Sequence, residues 1–130
     1  MNKPPITGHL NRLSGRVVHA SYKVHATLGP GLLESVYEVC LIHELTKMGI
    51  RTERQVPLPV IYDDTKLEAG FRIDVLVERQ LLVELKAVEG LTPVHQAQVL
   101  TYLKLTGFRL GLLINFNVAV LKDGIRRVIM

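Results

Sequence analysis

A chain of 130 residues, 48% hydrophobic and 22% charged, is long enough to bury one core, too short for two and too apolar for disorder. Its net charge of +4 favours anionic partners, nucleic acid first, and its lone Cys40 excludes an internal disulfide and a Cys-rich zinc site. No apolar run reaches the length of a membrane span and the start MNKPPITGHLNR has no apolar leader, so one cytoplasmic domain over residues 1–130, without a membrane partner, is expected.

Residues 11–28 place Leu13, Val17, Val24 and Leu28 one or two turns apart, and Gly29, Pro30 and Gly31 stop the pattern. A second helix is predicted from Leu32 to Met48, with Leu33, Val36, Tyr37, Cys40, Leu41 and Leu45 as its apolar stripe and Gly49 as a left-handed cap. The period then changes to that of strands. RTERQVPLPVIYDD reads as an edge strand because of its prolines, DDTK as a turn, and Leu67–Val77 as a longer strand. ERQ reverses the chain into LLVELKAV. Thr92, Pro93 and Gly107 mark the cap, first residue and end of a third helix. RLGLLINF follows as a buried strand, and VAVLKDGIRRVIM as a hairpin turning on Asp123 and Gly124. The result is an α/β fold: two helices, a three-stranded meander, a helix and one or two further strands around a mixed sheet.

Within GFRIDVLVERQLLVELKAV, Asp74, Glu84 and Lys86 interrupt apolar strands, which is costly unless the charges are paired, hydrated or bound to an ion. If Glu78, Arg79 and Gln80 form the loop, Val77 faces Leu81 and Asp74 falls opposite Glu84. Two facing carboxylates destabilise a ladder unless a cation lies between them or one takes a proton. Side chains repeat every second residue, so Lys86 shares the face of Glu84, and Arg72 that of Asp74. The other face, Ile73 and Val75 with Val83 and Leu85, is apolar. One reading makes this cluster a set of cross-strand ion pairs on a solvated face. The other makes it a site, covered by the helix-three stripe of His95, Gln98 and Tyr102.

Asp74, Glu84-Leu85-Lys86 and Gln98-x-x-x-Tyr102 together resemble the core of the PD-(D/E)XK nuclease superfamily. The last element is similar to that of its bacterial recombination exonuclease branch. VHATLGPGLLESVY, with Gly31, Glu34 and Tyr37, resembles the signature of the small GxxExxY proteins classed with that superfamily, as do PVHQAQVLTYLKLTG and LGLLINFNV. The likeness covers about residues 10–129, and Ile73-Asp74 replaces the usual Pro-Asp.

The resemblance implies a restriction-endonuclease-like αβββαβ core, its mixed sheet flanked by helices, with an extra N-terminal helix. It implies Mg²⁺- or Mn²⁺-dependent hydrolysis of phosphodiester bonds in nucleic acid, DNA first, single-stranded or branched substrates included. Asp74, Glu84, the Leu85 backbone carbonyl and Glu34 would ligate the ion, which prefers hard oxygens. Lys86 would orient or deprotonate the nucleophile and offset charge in the transition state. Gln98 and Tyr102 would hold the nucleic-acid backbone or a metal-bound water.

Each residue also has a plainer reading: Glu34 as a first-turn acid on the helix dipole, Gln98 and Tyr102 as a helix edge, and Tyr37 as core. His25 reads as structural, or as a partner of Glu34 or a phosphate. Lys23, Arg51, Arg54, Lys104 and Arg109 are candidate phosphate contacts. The alternative class is a catalytically silent nuclease-fold module that binds nucleic acid or a protein. One compact domain presents one site, so cutting both strands would require a homodimer.

Overall fold

Thr7 starts the first helix: its hydroxyl accepts the Leu10 amide at 3.1 Å, so in the computed structural model, which describes residues 5–67 and 71–130, α1 spans Gly8–Leu28. Leu10, Leu13, Val17, Ala20 and Val24 recur every three or four residues and are buried. Helix α2 spans Glu34–Lys47, and Gly49 takes the expected left-handed conformation at φ 76°. Its buried seam is narrower than the sequence suggests. Tyr37, Leu41 and Leu45 are fully enclosed, whereas Leu33 and Val36, expected in the stripe, are exposed and Cys40 is half-buried.

Strands β1 (Thr52–Pro57), β2 (Val60–Tyr62), β3 (Thr65–Leu67), β4 (Arg72–Val77) and β5 (Leu81–Lys86) precede α3 (Pro93–Thr106), and β6 (Leu110–Asn115) and β7 (Ile125–Ile129) follow it. The main sheet has the order β1-β4-β5-β6-β7, with β5 and β6 parallel across α3 and the other pairs antiparallel. Two of the expected strands are drawn differently. The run Leu67–Val77 is not one strand: β3 ends at Leu67, β4 begins at Arg72, and residues 68–70 lie outside the described residues. Strands β2 and β3 pair only with each other, turning on Asp63 and Asp64 at φ 51° and 60°. Nor does VAVLKDG form a hairpin arm. Leu121–Gly124 is a 3-10 turn, and β7 pairs with β6 because Gly124 lies where a Cβ would collide with the Asn115 carbonyl oxygen.

Thr92 and His95 form a reciprocal capping box at the start of α3, and Gly107 closes it at φ 80°. Gly111 lets this helix sit close on β6: a Cβ there would come within 2.7 Å of Val99 Cγ1. Apolar side chains fill both faces of the sheet. Val75, Val77, Leu81, Val83 and Leu85 join α1 and α2, while Leu76, Leu82 and Leu113 join Val99, Tyr102 and Leu103 of α3. Ile73 corrects the expected alternation, for it packs with the α3 cluster rather than beside Val75. The sequence α2, β1, β4, β5, α3, β6 is the αβββαβ core of the restriction-endonuclease-like fold, with α1 as the additional helix and β2–β3 as an inserted hairpin. Among the described residues no helix is long and apolar enough to cross a membrane.

Candidate active site

The hairpin of β4 and β5 follows the expected register, Val75↔Val83, Leu76↔Leu82 and Val77↔Leu81 around Glu78–Gln80. The next step would pair the Asp74 and Glu84 backbones, and there the ladder gives way to side chains. Asp74 Oδ2 accepts the Leu85 amide at 2.8 Å, and Glu84 Oε1 accepts the Asp74 amide at 3.0 Å. A strand residue presents its N–H and C=O to the same side, so the Leu85 carbonyl is turned toward Asp74 as well. The same place is irregular on β1: Gln55, across from Asp74, has φ 51°, a conformation that a non-glycine residue holds only when its surroundings impose it. Next to it, Ile73 leaves the expected face.

Glu84 is only 3% exposed. Burial, followed by the adjacent Asp74 charge, pushes its carboxyl up to about 9. Burial also raises Asp74, whereas the Leu85 amide and the hydrogen bond with Glu84 act in the opposite direction. Burial thus favours a protonated Glu84 beside Asp74 near neutral pH. That is the state of two carboxyls placed where a cation would otherwise neutralise them. Two carboxylates and a backbone carbonyl make a hard-oxygen donor set, which suits Mg²⁺ or Mn²⁺.

Helix α3 closes one side. Tyr102 is 3% exposed, its hydroxyl takes the Gln98 amide at 3.2 Å, and its ring meets Phe71 edge-on at 6.1 Å. Burial and then the charges of Glu84 and Asp74 hold the phenol above its ordinary range, so it stays protonated. His95 contributes to the helix cap instead, accepting the Thr92 amide at Nδ1.

Helix α2 closes the other side and adds residues that sequence reasoning missed. Glu38, 5% exposed, takes Arg54 at 3.0 Å and Gln55 at 2.7 Å, and the same Gln55 amide reaches Asp74 Oδ1 at 3.5 Å. Glu34, Ser35, Glu38, Gln55, Asp74 and Leu85 line a pocket of about 100 Å³. The available signal for Glu38 was its position one turn after Glu34, hence on the same helix face. Tyr37 sets the entry to this helix: its hydroxyl donates to Gly29 O at 2.6 Å and accepts the Leu32 amide at 3.2 Å, while its ring stacks on Phe116 at 4.5 Å.

Lys86 is half-buried and shares the face of Glu84. It lies near enough to both carboxyls to favour their charged forms. Among the described residues it makes no hydrogen bond or ion pair, and Arg72, Asp74, Glu84 and Lys86 form no ion pair with one another. The picture of cross-strand pairs on a solvated face does not describe this cluster.

Other sequence candidates lie apart from it. His25 bonds Val118 O through Nε2 at 2.7 Å and touches neither Glu34 nor a phosphate cradle. Lys23 pairs with Glu44, Arg51 with Glu78, and Arg109 holds the Met130 carbonyl. Lys104 is exposed in the last turn of α3. Glu34 is exposed at the pocket rim, and among the described residues no three acidic, His or Cys side chains converge as a metal cage. The side-chain donors at the centre are thus Asp74 and Glu84.

No curated protein and no solved structure matches the chain. The model of the PD-(D/E)XK nuclease superfamily matches residues 11–128, a span that runs from α1 through β7 and takes in the Asp74, Glu84 and Lys86 strands entire. A match of that extent, on a chain whose sheet brings those three side chains together, places the protein in the PD-(D/E)XK nuclease superfamily.

Proposed function

We propose that the protein is a divalent-cation-dependent nuclease, hydrolysing phosphodiester bonds in DNA, and that Gly31, Glu34 and Tyr37 place it in the GxxExxY branch of its superfamily. The observation that carries this reading is the hydrogen-bonded Asp74–Glu84 pair, Glu84 buried and Asp74 half-buried, beside a Lys86 ammonium that makes no hydrogen bond or ion pair among the described residues. Such a set is poorly suited to stability and well suited to an anionic phosphodiester and a cation.

Nucleases of this superfamily work with divalent cations. Asp74, Glu84 and the Leu85 carbonyl would hold Mg²⁺ or Mn²⁺, with Glu34 reaching it through water from the pocket rim. A divalent ion held there supplies polarisation of the scissile phosphate and a more acidic water. The protein's own residues do the rest. Lys86 orients the attacking water, takes up or relays its proton and offsets charge as the phosphorus gains its fifth oxygen. Tyr102, too deep to meet a strand directly, fixes Glu84 from the α3 side, while half-buried Gln98 holds Tyr102 and faces the backbone of the substrate. Arg54 and Gln55 keep Glu38 neutralised and Asp74 aimed.

The test is cleavage of labelled single-stranded, duplex and branched DNA, and of RNA, with Mg²⁺, Mn²⁺ or chelator. Wild type should cut at least one DNA form only with metal, and Asp74→Asn should lose at least a hundredfold of the rate. Wild type that binds these substrates and cuts none would instead identify a non-catalytic module.

A further inference from the structure

The β2–β3 hairpin serves no purpose that the fold explains. It is a separate two-stranded sheet in which Ile61 and Tyr62 are each 73% exposed and Leu67 is 42% exposed. A two-stranded hairpin alone is marginal in water, and Tyr62 and Leu67, which the register sets on one face of it, make an exposed apolar surface of the kind that binds. Its turn is of a defined type. Asp63 and Asp64, both at positive φ, match the two-residue turn whose twist suits a hairpin.

Its position gives it meaning. Val56 pairs with Ile73 and Pro57 with Arg72, and the Leu58 amide then bonds Phe71 O at 2.8 Å before the chain enters the hairpin. The hairpin therefore grows from the end of the ladder that carries Asp74. At its root, Phe71 packs edge-on against Tyr102, the residue that backs Glu84. Tyr62 lies seven residues along the chain from Gln55, which sits across from Asp74, so an extended path of at most about 23 Å joins ring and site. A few nucleotides cover that span.

We propose that this hairpin is a strand-guiding finger for unpaired nucleic acid, on which Tyr62 stacks against a base and Leu67, on the same face, packs beside it while the phosphate downstream reaches Asp74 and Glu84. The inference rests on the nuclease reading and specifies its substrate class: single strands, or frayed and branched ends. A base inside a duplex has both faces covered and offers Tyr62 nothing to stack on, whereas any unpaired base does so without regard to sequence.

The test compares wild type, Tyr62→Phe and the double variant Tyr62→Ala/Leu67→Ser. Anisotropy titrations use a labelled single-stranded thymidine oligonucleotide and a matched duplex, in Ca²⁺ and at low salt. Because both side chains are exposed, melting should be unchanged. The double variant should lose about tenfold or more in single-strand affinity with little change on the duplex, Tyr62→Phe should keep wild-type affinity, and a 5-bromouracil strand should photocrosslink to Tyr62. Double-variant affinity and single-strand cleavage equal to wild type would overturn the finger. So would loss, in that variant, of a dimer present in wild type, since the hairpin would then be a contact between copies. If wild type binds single strands through Tyr62 but cuts nothing, the finger stands and the nuclease reading fails. If wild type cuts and the variant cuts equally, the reverse holds.

Discussion

Lys86→Ala is expected to lower the rate of metal-dependent cleavage by about a hundredfold or more while leaving metal binding nearly intact, because the lysine acts on the water and the transition state and not on the ion. Its ammonium sits within the field of both carboxyls but forms no ion pair among the described residues. Its removal should therefore cost about 1 kcal/mol of stability or less, as for other weakly engaged surface charges. Single-turnover rates with saturating enzyme separate the effect on chemistry from that on substrate binding, which should weaken only slightly. Wild-type turnover in this variant would remove Lys86 from the mechanism.

Glu84→Gln should stabilise the metal-free protein at alkaline pH. In the unfolded chain Glu84 loses its proton near the ordinary value of 4.5, whereas in the folded protein it keeps it until about 9. Between those limits the folded state binds the extra proton, so its stability is greatest below the lower value and declines as pH rises toward the upper one. Asp74, also raised, adds in the same direction. Glutamine is neutral throughout, can accept the Asp74 amide as Oε1 now does at 3.0 Å, and can donate to the Asp74 carboxylate as the protonated acid does. The variant should thus match wild type at pH 5 and exceed it at pH 8 by on the order of a few kcal/mol, visible as several degrees in Tm. Mg²⁺ should raise the wild-type Tm at pH 8 and leave the variant unmoved. Parallel stability curves for the two proteins from pH 5 to 8 would show that Glu84 ionises normally.

What the sequence revealed about the site came from strand parity and one short turn. With Glu78–Gln80 as the loop, alternation alone brought Asp74 opposite Glu84 and set Lys86 on the same face, and the backbone follows that register. Caps with strong local chemistry, Thr92 with Pro93 and Gly107, were equally legible. What parity could not foresee was its own failure at Asp74. There the carboxylate takes a backbone amide, Gln55 adopts φ 51°, and Ile73 passes to the α3 cluster. These are tertiary constraints with no local signature.

Glu38 was hidden for a different reason. In sequence it is one more acid on an amphipathic helix, and only Arg54 and Gln55, arriving from β1, make its burial tolerable. The hydrogen bond of His25 to Val118 spans 93 residues, beyond any periodicity argument. The β2–β3 insertion was merged into longer strands because its residues have strand propensity; that they pair only with each other is a fact of topology.

Calorimetric titration with Mn²⁺ at pH 7, in two buffers of different ionisation enthalpy, tests most directly whether Asp74 and Glu84 form one cation site. The account predicts one ion per chain, close to one proton released as the ion displaces the one on Glu84, and loss of both signals in Asp74→Asn. Equal binding by wild type and Asp74→Asn, with no difference between the buffers, would contradict it.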